Sequence, residues 1–237
     1  MPPFTSTNAS KHHRVPADII SPGVWLYDRC CLSYRDVEEL QCARGVMVTY
    51  DASRPWCQTC GPAYANQLRR RHPRRGDKWH LDEVCLPIRG ERHDLWRAVD
   101  QDGEVLDSLV QRRRDKQAAK RCFRKLLQGC QDAPRGIITD QLKSYGAAKR
   151  ELLPGVEHRQ HRDLHHRTAH SQQPTRQRER RLPGCKSPGQ AQRCLAASGV
   201  IAQHVRPRRH RLPAPAYRHI MAQRFQMWHE VTGTAAA

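Results

Sequence analysis

The chain has 237 residues, of which 42 are Lys or Arg and 23 are Asp or Glu, so its formal net charge is +19 at pH 7. No stretch approaches the ~20 apolar residues needed to span a bilayer, and the N-terminus lacks the charged-then-apolar pattern of a signal peptide. So strong a positive charge is typical of a protein that binds a polyanion, most often nucleic acid. A basic surface with no dedicated partner is the alternative. We expect a cytoplasmic or nucleoid-associated protein whose ten cysteines are reduced.

The N-terminal part of the chain is predicted to be helical after a polar tail. Residues 1–14 are expected to be disordered, and a first helix is predicted from Pro16 to about Arg29. Ser33 followed by Asp36 is typical of a helix N-terminus, and Gly45 ends the helix that they begin. A third helix is predicted from Thr49 to Tyr64.

A helix, a short glycine-containing turn and a second helix form the outline of a helix-turn-helix, in which the later helix enters the major groove of DNA. An ordinary helical hairpin is the alternative. Pro55 lies in the later helix, where an interior proline costs roughly 3 kcal/mol unless it falls in the first turn. The arginine-rich stretch from Leu68 to Arg75 is predicted to be a linker suited to phosphate contact.

From Trp79 onward the periodicity changes from helix to strand. Three strands are predicted first, with a hairpin turn at Asp102–Gly103, and an amphipathic helix capped by Asp115 follows. This order of elements indicates an α+β fold, and a basic tail with short helices is expected after Pro183. The three strands are predicted at Trp79–Ile88, Asp94–Val99 and Val105–Val110. The later elements are a buried strand at Gly136–Asp140, a helix at Ser144–Leu152, a strand at Val156–His161 and a basic helix at Arg167–Arg181.

Asp82 and Asp140 each lie within an apolar run or at its end. A carboxylate on a buried strand costs free energy unless it is paired or binds a cation. Two such carboxylates in so basic a protein indicate a site for hard divalent metals that work on phosphodiesters. The alternative is a structural role, as helix caps or as salt-bridged surface acids.

The cysteines and histidines give weaker signals. Cys57 and Cys60 form a lone CxxC with no second pair at zinc-finger spacing, which favours buried thiols over a zinc site. The histidines between His158 and His170 also lack the spacing that fits tetrahedral ligation.

Several ordered motifs occur along the chain, namely GDKWHLDEV at 76–84, LWRAVD at 95–100, IITD at 137–140, VEHRQ at 156–160 and the terminal basic segment. From about Arg14 to Gly233 the chain resembles the insertion-sequence-six family of bacterial DDE transposases. The resemblance implies an N-terminal helix-turn-helix that reads terminal inverted repeats. It also implies an RNase-H-like (retroviral-integrase-like) domain with a mixed five-stranded sheet and flanking helices.

In that fold the first Asp lies on the first strand, the second lies just after the fourth, and a Glu lies on a later helix. Two Mg²⁺ (or Mn²⁺) ions are expected between these carboxylates if the protein is active. Carried over to this chain, Asp82 and Asp140 match the first two catalytic and metal-binding positions. The Glu position falls on Ala169, which has no carboxylate, and the nearest acids are Asp163 and Glu179.

The resemblance therefore implies metal-dependent DNA strand transfer at terminal inverted repeats, impaired because Ala169 replaces the catalytic Glu. The alternatives are a catalytically dead DNA-binding protein that acts as a decoy or repressor at inverted repeats, and a non-functional product. The expected partners are inverted-repeat DNA, target DNA and a second copy of the chain in a homodimer. No membrane is expected. The basic residues expected to contact DNA are Arg54, Arg69, Arg70, Arg71, Lys143, Arg176 and Arg178.

The expected domain organisation follows from these elements. The helix-turn-helix and basic linker would occupy residues 15–73, the catalytic domain 74–182 and the basic tail 183–237.

Overall fold

A computed structural model describes residues 13–71, 76–129, 133–160, 185–204 and 212–234. The chain divides into two compact units, one made of residues 1–72 with 197–237 and the other of residues 73–196. Within the described ranges, no helix is both long enough and apolar enough to cross a membrane. The predicted basic helix at Arg167–Arg181 lies outside the described residues.

The first unit begins with three helices, α1 (Ala17–Arg29), α2 (Tyr34–Cys42) and α3 (Tyr50–Arg71). The predicted start of α2 is confirmed as a capping box, because the Ser33 hydroxyl accepts from the Asp36 N–H and the Asp36 carboxylate accepts from the Ser33 N–H. Gly45 follows α2 with a φ of 79°, a left-handed conformation that favours glycine. The helix, glycine turn and helix predicted from the sequence are therefore present.

Helix α3 is longer than predicted, and the interpretation of Leu68–Arg75 as a linker is wrong as far as Arg71. Tyr64 and Leu68 are one helical turn apart and both fully buried, so the apolar stripe continues past the predicted end. Pro55 lies beyond the first turn of this helix, and Pro62 lies further along it. The helix therefore contains two interior positions without a backbone N–H.

Replacing Pro55 with Ala should stabilise the first unit. Pro55 is exposed, so the substitution removes little buried surface while restoring an N–H to the helix interior. The gain should approach the ~3 kcal/mol by which an interior proline is disfavoured relative to alanine. Urea unfolding followed by tryptophan fluorescence measures it, and a lower stability of Pro55→Ala would show that the helix has adapted to the proline.

The second unit contains a five-stranded mixed sheet. Its strands are β1 (Lys78–Ile88), β2 (Glu91–Asp100), β3 (Val105–Gln111), β4 (Gly136–Thr139) and β5 (Glu157–Gln160), and its helices include α4 (Lys116–Gly129) and α5 (Lys143–Leu152). The strand order is β3-β2-β1-β4-β5. The first three strands are antiparallel, whereas β4 pairs parallel with β1 and with β5. This topology is the RNase-H-like fold implied by the resemblance.

The predicted hairpin between β2 and β3 is held by a buried aspartate. Asp100 accepts hydrogen bonds from the N–H groups of Asp102 and Glu104, both at 2.8 Å. Gly103 adopts a φ of 73°, which the turn requires. The hydrophobic core of the unit lies between the sheet and the two helices, with Trp79, Trp96, Phe123 and Tyr145 among its largest buried side chains.

The last two helices correct the prediction of a C-terminal tail with short helices. Helix α6 (Pro188–His204) has 17 residues, and α7 (Ala214–Thr232) has 19. In the first unit, Trp228 of α7 donates a hydrogen bond to Ser21 and packs edge-on against Tyr64, with 5.6 Å between the ring centroids. Apolar residues of both helices, such as Ile201 and Val231, join the core of that unit, so this segment is structural and not an open tail.

Candidate metal centre

Asp82 and Asp140 lie on adjacent segments of the sheet. Asp82 is in the middle of β1, and Asp140 directly follows β4. The parallel register pairs His80 of β1 with Ile138 of β4. Two residues further along each chain are the two aspartates, so the topology brings them to the same level of the sheet.

The two carboxylates are close enough to bind one cation. Ligand oxygens of Asp82, Glu83 and Asp140 all lie within 4.8 Å of one another. Two oxygens that share an ion at 2.0–2.6 Å are expected to be about 3–5 Å apart. Asp82 and Asp140 are both half-buried, so the cluster can be reached from solvent.

Each aspartate is oriented by backbone N–H groups. Oδ1 of Asp82 accepts a hydrogen bond from the Glu83 N–H at 2.9 Å, and Oδ1 of Asp140 accepts one from the Leu142 N–H at 3.1 Å. Leu142 is the N-cap of α5, so the Asp140 carboxylate also lies at the positive end of a helix dipole. These hydrogen bonds fix the orientation of both carboxylates.

The third member of the cluster, Glu83, was not predicted to belong to the site. It shares the strand parity of Trp79 and Leu81, which are buried in the core. Its side chain is only 2% exposed. The Tyr145 hydroxyl donates a hydrogen bond to Oε2 at 2.9 Å, and Nη1 of Arg114 lies 3.6 Å from Oε1. The sequence signal was an acid at a core-facing position of a strand beside Asp82.

The surroundings of Glu83 raise its pKa to about 7, chiefly because burial disfavours the ionised carboxylate. The charge of Asp140 adds to the increase, and that of Asp82 adds less. The Tyr145 hydrogen bond and the Arg114 guanidinium act in the opposite direction but do not cancel it. A divalent cation bound in the cluster would lower this pKa, because it would favour the charged form of each nearby carboxylate.

A series of hydrogen bonds through Thr139 and His158 supports the Asp140 backbone. Thr139 donates from Oγ1 to the Asp140 carbonyl at 2.9 Å, and Nε2 of His158 lies 2.9 Å from the same Oγ1. Because the threonine hydroxyl has one proton, this arrangement assigns the Nε2–H tautomer to His158. Burial, and to a lesser extent the nearby charge of Lys149, lowers the pKa of His158 and so favours this neutral form. His158 therefore supports the backbone at Asp140 and contacts no carboxylate of the cluster.

The structure describes five of the residues that are predicted to contact DNA. Arg54, Arg69, Arg70 and Arg71 all lie on α3 of the first unit. Arg69 donates a hydrogen bond to Asn66 at 2.9 Å. Arg71 forms an ion pair with Glu230 at 2.9 Å, and this pair partly neutralises the charge of Arg71. Lys143 is exposed at the first position of α5 in the second unit, three residues after Asp140.

Ala169 and the two acids considered as its substitutes, Asp163 and Glu179, lie outside the described residues, as do Arg176 and Arg178.

Sequence comparisons relate the chain to insertion-sequence transposases. The family model of the DDE domain of IS240-type transposases matches residues 76–208, more than half of the chain. The transposase for insertion sequence element IS257 in transposon Tn4003 of Staphylococcus aureus is 30% identical over 146 residues. A transposase for insertion sequence-like element IS431mec, also from Staphylococcus aureus, shows the same identity and coverage. These matches span 62% of this chain and 65% of the length of the relatives.

Solved structures with a similar chain path include retroviral integrases. The catalytic core domain of HTLV-2 integrase, in a complex with magnesium, is 14% identical, with a TM-score of 0.42 and coverage of 67% of this chain and all of that one. A simian T-cell lymphotropic virus intasome is 13% identical, with a TM-score of 0.43 and coverage of 87% and 72%. The aspartates on β1 and after β4, the strand order and the match over residues 76–208 together show that the chain belongs to the insertion-sequence-six family of DDE transposases.

Proposed function

We propose that this protein is an insertion-sequence transposase whose second unit performs metal-dependent DNA strand transfer at terminal inverted repeats. The observation that carries the proposal is the approach of the Asp82 and Asp140 carboxylates to within 4.8 Å at the centre of the sheet. Family membership supports the reaction class, and the net charge of +19 supports a nucleic-acid substrate.

Asp82 and Asp140 would hold the divalent cation. Their donor set consists of carboxylate oxygens, which hard ions such as Mg²⁺ and Mn²⁺ prefer. When bound, such a cation supplies Lewis-acid stabilisation of the charge that develops on a phosphodiester. The hydrogen bonds from Glu83 and Leu142 orient the two aspartates toward this role.

Basic side chains of both units would contact the DNA backbone. Arg54 and Arg70 are exposed on α3, the later helix of the helix-turn-helix, and we assign that helix to the inverted-repeat end. Lys143 is positioned to contact phosphate near the metal cluster, because it is exposed close to Asp140. Arg176 and Arg178 are assigned to DNA from the sequence alone. We expect a homodimer, on the ground of the family resemblance alone.

The reaction is proposed to be impaired in this chain. The family's third carboxylate falls on Ala169, and an alanine cannot bind a cation. This observation also supports the second candidate function, a catalytically dead protein that binds inverted repeats as a decoy or repressor. The two functions differ in whether any DNA is joined.

A strand-transfer assay with end DNA and Mg²⁺ or Mn²⁺ separates them. We expect a low yield of joined product from the unaltered protein and none from Asp140→Asn. Tight DNA binding with no product in Mn²⁺ would establish the decoy function instead. Efficient joining by the unaltered protein would contradict the assignment of Ala169 as a lost ligand.

DNA affinity should fall steeply with salt. Each phosphate that a Lys or Arg neutralises contributes a slope near −0.9 to the dependence of log K on log salt concentration. We expect a slope of about −4 or steeper, corresponding to roughly five contacts, when fluorescence anisotropy of labelled end DNA is measured between 50 and 200 mM salt. An affinity that hardly changes over this range would exclude backbone contacts as the main source of binding.

Discrimination between end DNA and random DNA should be weak, because Pro55 interrupts the hydrogen bonding of the helix that would read the bases. Competition by random DNA in the same anisotropy experiment measures this. Strong preference for the inverted repeat would show that the proline leaves the reading face intact.

A further inference from the structure

The pairing between β1 and β4 stops before it reaches the metal cluster. The parallel ladder between β1 and β4 joins Lys78–His80 to Gly136–Ile138 and ends there, two residues short of Asp82 and Asp140. The spacing of the two carboxylates must therefore be fixed by side-chain contacts as well as by the backbone of the sheet.

The Glu83–Tyr145 hydrogen bond lies where such a contact is needed. Glu83 directly follows Asp82, and Tyr145 lies five residues after Asp140, in the first turn of α5. One bond of 2.9 Å between Tyr145 Oη and Glu83 Oε2 therefore joins the two segments that present the aspartates.

Both ends of this bond are held rigidly. Tyr145 is fully buried, with its ring edge-on to Trp96 at 5.2 Å and tilted against Phe123 at 6.2 Å. The other oxygen of Glu83 faces Arg114, whose Nε in turn hydrogen-bonds the buried Asp94 at 2.8 Å. Because one carboxylate oxygen of Glu83 accepts from Tyr145 and the other forms an ion pair with Arg114 at 3.6 Å, its geometry is that of a support and not of an open metal ligand.

We infer that Glu83 and Tyr145 are positioning residues that clamp Asp82 and Asp140 at the separation needed to bind one divalent cation. The inference rests on the proposed metal site. Outer partners that orient metal ligands commonly account for a 10–100-fold difference in metal affinity, and this is the effect we assign to the clamp.

The test is Mn²⁺ binding by the full chain, measured by electron paramagnetic resonance of the free ion. Tyr145→Phe removes one hydroxyl and should weaken Mn²⁺ affinity about tenfold or more. Glu83→Gln keeps an amide oxygen that can accept from Tyr145 but removes a charge near the cation, so it should weaken Mn²⁺ affinity less than Glu83→Ala does. Glu83→Ala should lose at least as much as Tyr145→Phe.

A matched control separates positioning from general loss of stability. Leu106→Val trims a buried side chain of the same core cluster on β3, which β2 separates from β1, and should lower the urea midpoint without changing Mn²⁺ affinity. Unchanged affinity in Tyr145→Phe would overturn the clamp. Loss of binding in Glu83→Gln with retention in Tyr145→Phe would overturn it too, because Glu83 would then be a ligand.

Asp140→Asn distinguishes failure of the clamp from failure of the metal site itself. If Asp140→Asn binds Mn²⁺ as well as the unaltered protein, or if the unaltered protein binds none, the proposed site is wrong and the clamp with it. If Asp140→Asn abolishes binding and Tyr145→Phe does not weaken it, only the clamp is wrong.

Discussion

Ala169→Glu should raise strand transfer on end DNA by roughly a hundredfold or more over the unaltered protein. Loss of an outer-shell partner of a metal already costs 10–100-fold in affinity or activity, and a carboxylate that binds the cation directly should contribute more. The substitution adds the third acid that the family pattern expects to complete the set begun by Asp82 and Asp140. Joined product in Mg²⁺, quantified on sequencing gels, measures the effect.

Ala169→Gln is the control, because glutamine has nearly the shape of glutamate but no charge. It should not restore the reaction, since a hard cation needs an anionic oxygen at this position. Equal rescue by Gln and Glu would show that position 169 acts through shape or folding and not as a ligand. Asp163→Asn and Glu179→Gln would then identify the acid that serves instead.

Glu83→Gln should gain stability over the unaltered protein as the pH rises. Glu83 has a pKa of about 7 in the folded protein and an ordinary value of 4.5. The folded state therefore holds the proton more tightly than the unfolded state, so the unaltered protein loses stability between pH 4.5 and about 7 and levels off above. The loss amounts to about 3 kcal/mol, at 1.36 kcal/mol for each unit of pKa difference.

The glutamine variant lacks this titration, so its advantage should be absent near pH 4.5 and near 3 kcal/mol at pH 8. Urea unfolding at several pH values with EDTA present measures it, since a bound cation would favour the charged glutamate. The Tyr145 hydroxyl lowers the pKa of Glu83. In Tyr145→Phe this pKa should therefore be higher, and the loss of stability with rising pH should extend to higher pH than in the unaltered protein. A difference between Glu83→Gln and the unaltered protein that does not vary with pH would contradict the raised pKa.

The sheet and its two aspartates could be predicted from the sequence because the signals are local. Apolar residues mark β1 to β3, the Asp102–Gly103 turn fixes the hairpin between β2 and β3, and the run before Asp140 marks β4. The order of these elements, with the resemblance, was sufficient to place Asp82 and Asp140 side by side.

Glu83 could not be assigned from the sequence, because its role depends on a partner 62 positions away. No local pattern shows that Tyr145 is buried or that its hydroxyl reaches β1. The C-terminal helices were underestimated for a similar reason. The packing of Trp228 against Tyr64, which makes α7 part of a core, is a tertiary contact that periodicity does not reveal.

The extension of α3 illustrates a different limit. Three consecutive arginines, Arg69 to Arg71, suggested a solvated linker, but the helix continues because Tyr64 and Leu68 bury its opposite face. Arg71 then gains an ion pair with Glu230 of α7. Charge alone therefore does not end a helix that has an apolar stripe to bury.

The most direct test of the account is whether Asp82 and Asp140 bind one divalent cation. Titration calorimetry of the full chain with Mn²⁺ should show binding that is lost in Asp82→Asn and equally in Asp140→Asn, while the circular dichroism spectrum is unchanged. Each aspartate supplies ligand oxygens within 4.8 Å of the other, so neither should suffice alone. Mn²⁺ binding that survives both substitutions would contradict the shared site.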